Sequence, residues 1–210
     1  MSDYTTEEEE LEKLKHWWND NKWLVITGLV AGAGLLYGYN WYKDMTQTRA
    51  QTASTAYAEL LSAVEAGNRD EAINLATLLK DEFSATPYDE QAGLALAKLH
   101  IDAGDTDAAV AALRETLDSA SEELAHVARL RLARVQLASG DVDSAWQTLQ
   151  VNDVSEFAML YDELRGDILV ARGDTQGAIE QYRKALSHPV AIGDAEYIEI
   201  KLQNLGVLAD

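Results

Sequence analysis

The sequence predicts an all-α protein in which one membrane-crossing helix precedes a stack of paired helices. Three observations carry this prediction: a helix-favouring composition, one long uncharged run, and a glycine-centred pattern that recurs four times. The 210 residues include 2 prolines and no cysteine. Ala, Leu, Glu and Asp are the commonest residues, and the abundance of Ala, Leu and Glu favours helix over strand. Without cysteine there are no disulfides, thiolate nucleophiles or common zinc sites. Hydrophobic residues make up 47% and charged residues 25% of the chain, a globular balance.

Charge narrows the partners. The formal net charge is −19, and from Ala56 onward 28 acidic residues face 12 basic ones, a net of −16. Such a surface repels phosphate backbones and argues against nucleic acid. A salt-adapted host would show the same bias, so acidity alone names no partner.

Residues 1–22 come first. EEEELEKLKHWWNDNK, Glu7–Lys22, reads as a short amphipathic helix with Leu11, Leu14 and Trp18 on one side and Glu9–Lys13 as an i,i+4 pair. Its expected place is the membrane surface, leading into the span. The four glutamates read as a solvated helix start.

Residues 23–42, WLVITGLVAGAGLLYGYNWY, follow without a charge. Twenty helical residues cover about 30 Å, the thickness of a bilayer's hydrocarbon core. Lys22 and Lys43 close the run, and Trp23 at one end faces Tyr37, Tyr39, Trp41 and Tyr42 at the other, as interfacial belts do. A buried core helix fits the length and flanks less well. A cleaved signal peptide has a basic leader and an apolar core of about 7–15 residues; here the leader is acidic and the run longer, so an uncleaved anchor fits better. Lys13, Lys15 and Lys22 before the span against Lys43 and Arg49 after it lean towards a cytoplasmic N-terminus. Gly28, Ala31, Gly32, Gly34 and Gly38 share one broad face that would let another membrane helix come close. Residues 43–55 are polar and helix-compatible, and are expected to continue the span as a stalk.

The remainder, residues 56–210, repeats. LLSAVEAGNRDEAINLA, LAKLHIDAGDTDAAVAAL, LARVQLASGDVDSAWQTL and RGDILVARGDTQGAIEQY align on Gly67, Gly104, Gly140 and Gly173. Five residues later stand Ala72, Ala109, Ala145 and Ala178; seven earlier stand Leu60, Ala97, Ala133 and Gly166. Gly ends a first helix in a left-handed turn, Asp or Asn starts the second, and small residues are expected to meet where the two cross. A period near 34 with these offsets is the tetratricopeptide signature. The prediction is a tetratricopeptide-like α-solenoid of about four helical hairpins, each pair sharing its core with the next. AEYIEIKLQNLGVL, with Ile198, Leu202, Leu205 and Leu208 near helical spacing, is expected to cap the open end.

Signals of chemistry are missing. His16, His100, His126 and His188 lack metal-ligand spacing. Pairs such as Glu122-Glu123 fall on helix surfaces, and no Gly-rich phosphate loop follows a strand. Arg129, Arg131 and Arg134 form a basic island whose expected role is intradomain ion pairing. The chain is therefore expected to be no enzyme, with no cofactor and no metal.

The whole chain resembles the YfgM-type family, the ancillary subunit of the SecYEG translocon. The resemblance rests on EKLKHWWNDNKW before a Gly-rich span, STAYAELLSAV, LRLARVQL, LRGDILVARGDTQGAIEQYRKAL and IKLQNL, in that order. It implies a single-pass inner-membrane protein with a cytoplasmic N-terminus and a periplasmic repeat domain. It further implies association with the translocon and with PpiD, a membrane-anchored periplasmic chaperone of prolyl-isomerase type, and no catalytic residues. A groove lined by the first helices would serve such a chaperone or exported polypeptides. By register it would expose Leu94, Lys98, Ile101, Leu130, Arg134, Leu137, Asp167 and Val170. The rival reading is a generic membrane-anchored scaffold for envelope assembly.

Overall fold

The structure, a computed structural model, describes residues 3–84, 86–189 and 192–207. Every regular element among them is helical. Contacts divide the chain into two compact units, Met1–Thr52 and Ala53–Asp210.

The first unit is a stretch of helix α1, which runs unbroken from Asp3 to Glu65. It includes the one helix among the described residues that is long and apolar enough to cross a membrane. Trp23, Leu24, Leu35 and Tyr37 are each more than 70% exposed. Side chains this apolar stay uncovered only if something other than water surrounds them. An added Cβ at Gly28, Gly32, Gly34 or Gly38 would meet nothing within 4 Å.

The second unit is a run of antiparallel helical hairpins. The last turns of α1 pair with α2 (Arg69–Glu82), α3 (Pro87–Asp102) with α4 (Thr106–Ser119), and α5 (Glu122–Ala138) with α6 (Val142–Thr148). A 3-10 turn at Ser155–Phe157 leads to α7 (Ala158–Ala171), which pairs with α8 (Thr175–Leu186), and α9 (Ile192–Asn204) follows. The four repeat glycines all have positive φ, between 73° and 85°. At Gly104 the turn closes by Gly104 N–H donating to Ile101 O and Asp105 N–H to His100 O, both 2.9 Å. The same pair of bonds recurs at Gly67, Gly140 and Gly173. It satisfies carbonyls that the helix end would leave orphaned.

The second helices start as expected, with one exception. Asp105, Asp141 and Asp174 accept from the N–H three residues on, whereas Asn68 makes no side-chain cap. Bonds from the Ser144 hydroxyl and N–H hold the Asp141 carboxyl below the usual carboxylate range.

Ala72, Ala109, Ala145 and Ala178 are wholly buried, as are Leu60 and Ala133, with Ala97 nearly so. At Gly166 the closest neighbour is a ring from the second helix. The space in front of Gly166 is filled by the ring of Tyr182, 2.4 Å from where a Cβ would stand. Gly93, outside the repeat pattern, is just as confined: a Cβ there would lie 2.2 Å from Thr116 Oγ1. A fifth positive-φ glycine, Gly206, ends α9 with the same paired bonds as the hairpin turns. Ile198 and Leu202 of α9 are buried against Ala178, Tyr182 and Ala185 of α8; Leu208 lies outside the described residues.

Candidate functional site

The first helices α3 and α5 lie side by side and leave a hollow of about 400 Å³ between them. Leu94, Ala97, Lys98 and Ile101 come from α3, one or two helical turns apart, so that they share a face. Arg131, Arg134, Val135 and Ala138 come from α5, and buried Leu113 of α4 closes the base. Its inner wall is therefore aliphatic and its rim basic. Lys98 pairs with Asp102 at 2.5 Å in an exposed i,i+4 contact. Arg131 makes no ion pair among the described residues.

A second hollow of about 190 Å³ lies beyond Arg134, which lines both. Its other walls are Met159, Leu160 and Glu163 of α7 with Asp194, Tyr197 and Ile198 of α9. Here the charge is acidic. Arg134 reaches Glu163 at 3.5 Å, but the close partner of Glu163 is Lys201, at 2.5 Å.

Lys201 also holds Asp167 at 2.7 Å, and Asp167 in turn accepts from the Tyr182 hydroxyl at 2.7 Å. Burial pulls the Lys201 pKa down, but the bonds to Asp167 and Glu163 outweigh it, and the net direction is up. Burial and the bond to Asp167 push the Tyr182 hydroxyl strongly up. Nearby, Asp162 is almost wholly buried and accepts from Arg165, Lys184 and His188 at 3.1, 3.0 and 2.9 Å. These carboxylates are each matched by cations, the arrangement of a structural network.

Of the residues expected to line the groove, Leu94, Lys98, Ile101 and Arg134 meet at the larger hollow. Leu130 is 3% exposed and packs in the core with Ala133, Leu149 and Leu164; Leu137 is half-buried against the same core. Asp167 belongs to the Lys201 network, and Val170 is exposed. Within the basic island, Arg134 forms its ion pair and Arg129 donates to the Tyr161 hydroxyl at 3.4 Å. Two residues that sequence reasoning passed over were nonetheless signalled by the register. Counted back from the repeat glycines, Glu163 stands where Leu94 and Leu130 stand, and Asp162 where Gly93 and Ala56 stand. A carboxylate at a core position implies a buried partner.

With this architecture in view, the known proteins it resembles are consistent among themselves. The model of the tetratricopeptide repeat-like domain matches residues 15–207. A protein of Escherichia coli K12 named ancillary SecYEG translocon subunit is 31% identical over 208 residues, covering 99% of this chain and 100% of its own. The chain belongs to the YfgM-type family of ancillary SecYEG translocon subunits. Relatives of the same name from Aggregatibacter actinomycetemcomitans and Neisseria gonorrhoeae are 29% and 27% identical, over 96% and 98% of this chain and 99% and 100% of theirs. Family membership thus extends over the apolar helix as well as the repeats.

Proposed function

We infer that this protein is a non-enzymatic ancillary subunit of the SecYEG translocon, tethered in the inner membrane and working as a scaffold. The observation that carries this reading is the end-to-end match to relatives that bear that name. In this reading residues 1–22 lie on the cytoplasmic side, 23–42 span the membrane, 43–55 form a stalk and 56–210 stand in the periplasm. The face of Gly28, Ala31, Gly32, Gly34 and Gly38, open to a close approach, docks against other membrane helices. The repeat domain links the translocon to a PpiD-type periplasmic chaperone and to exported polypeptides. Leu94, Lys98, Ile101 and Arg134, which meet at the hollow between α3 and α5, mark the groove it offers them.

Copurification of the full chain from mild detergent tests the function. Translocon subunits and a prolyl-isomerase-type chaperone are expected; cell-wall or outer-membrane factors in their place would support the generic scaffold instead. Protease added to intact and osmotically opened cells tests the topology. Digestion of residues 56–210 only after opening the outer barrier is expected, and resistance until the inner membrane is lysed would reverse the orientation.

A further inference from the structure

We propose that the hollow between α3 and α5 selects extended polypeptide segments that carry a carboxylate beside a bulky apolar side chain. This rests on the groove reading and names the occupant's chemistry. From Ala56 onward the chain has 12 cations against 28 acids, and three of those cations, Lys98, Arg131 and Arg134, stand around one hollow. In so acidic a domain, a local rim of the opposite sign is where an anionic group is attracted most.

Of the two arginines, one is unpaired among the described residues and the other is held only at long range. Arg131 is exposed and has no ion-pair partner among the described residues. Arg134 is about half exposed and sits 3.5 Å from Glu163, longer than the 2.7–2.9 Å of a charge-assisted bond. Glu163 is already neutralised by Lys201, so Arg134 can turn to a ligand without stranding a buried charge. Guanidinium groups present paired donors that match a carboxylate. Beneath them Ala97, Leu113 and Ile101 offer an aliphatic seat, with Ile101 45% exposed. An apolar side chain entering it would be favoured by leaving water.

The acid side chains fix what is excluded. A lipid surface would bring a broad anionic plane against a domain of net charge −16, whereas one extended segment reaches the rim alone. Across Arg134 the second hollow carries Glu163 and Asp194, so a segment long enough to enter both must reverse its charge there.

The test uses the full chain in phosphatidylcholine nanodiscs and three C-terminally amidated peptides carrying fluorescein on the N-terminal amine, Gly-Leu-Xaa-Leu-Gly with Xaa as Asp, Asn or Lys. Fluorescence anisotropy is expected to show the Asp peptide about tenfold tighter than the Asn peptide, as one charge-assisted contact predicts, with the Lys peptide weakest. Arg131→Glu is expected to remove the Asp preference, while Arg183→Glu, the same charge change at an exposed residue of α8, leaves it within about twofold. Helical circular dichroism checks that each variant is folded. Equal affinity for all three peptides would overturn the selectivity and leave the groove reading standing. No peptide binding, with translocon copurification intact, would overturn the groove as well. Binding only to vesicles containing phosphatidylglycerol would assign the rim to lipid and overturn the proposal.

Discussion

Between α3 and α4 the interface is apolar and close: Gly93 lies against Thr116, and Leu94, Ala97 and Leu113 share a core with Leu132 of the next hairpin. Among α7, α8 and α9 the same layer carries Asp162, Glu163 and Asp167, held by Arg165, Lys184, His188 and Lys201. Glycine turns and buried alanines are common to both ends, so the turn chemistry sets the hairpin while the contact chemistry is free to vary. The difference has a physical use. Apolar contacts are tolerant of sliding, whereas a buried ion pair penalises every register that strands a charge. Helix α9, whose Lys201 reaches Glu163 and Asp167 of α7, is held in register by such a penalty.

The largest test of this contrast is Asp162→Ala in the full chain, followed by urea unfolding and circular dichroism. Removing the carboxylate leaves Arg165 and its neighbours without their common partner, and a loss of about 3 kcal/mol is expected. A loss below about 0.5 kcal/mol, as for an ordinary surface substitution, would mean that packing alone holds this end.

The matching test at the apolar end is Gly93→Ala. Its methyl group would collide with Thr116 Oγ1, and roughly 1–3 kcal/mol of overpacking is expected. Adding Thr116→Ala should recover part of it, with a coupling above about 0.5 kcal/mol in the double-mutant cycle. Strict additivity would show that the two residues do not press on each other.

The smallest effect is with pH. The Lys201 pKa is raised above its ordinary 10.5, so its contribution is fully present below that value and fades as pH rises through the higher folded value. Since the chain has no cysteine, Leu202→Cys reports on α9 and Leu132→Cys on the middle of the stack. Both thiols are deprotonated well above pH 8.5 when accessible, so labelling between pH 10 and 11.5 reads opening. Leu202→Cys is expected to gain reactivity first; equal gains at both sites would remove the distinction.

Much of this was legible beforehand, because glycine at a left-handed turn and alanine at a crossing leave fixed spacings in the sequence. The span was legible because an uncharged run of its length has few uses. Gly206 escaped notice since Glu199, seven residues before it, is not small. The groove was legible by face but not by depth: Leu94 and Leu130 share a register position, yet one borders a hollow and the other is sealed by Leu149 and Leu164. That outcome depends on which neighbour follows, and periodicity within one helix carries no information about it.

Helix α6 has 7 residues where α2 and α4 have 14. Its end is braced from the next hairpin, by Arg165 donating to Leu149 O at 2.8 Å and by Arg172 over the Trp146 ring at 5.0 Å. So short a helix has little stability of its own, and two arginines of α7 and its cap stand in for the missing turns. Helix α6 thus takes its place from α7 and its cap rather than from its own turns. Because α6 is the partner of α5, losing either brace would loosen the support behind the wall that carries Arg131 and Arg134.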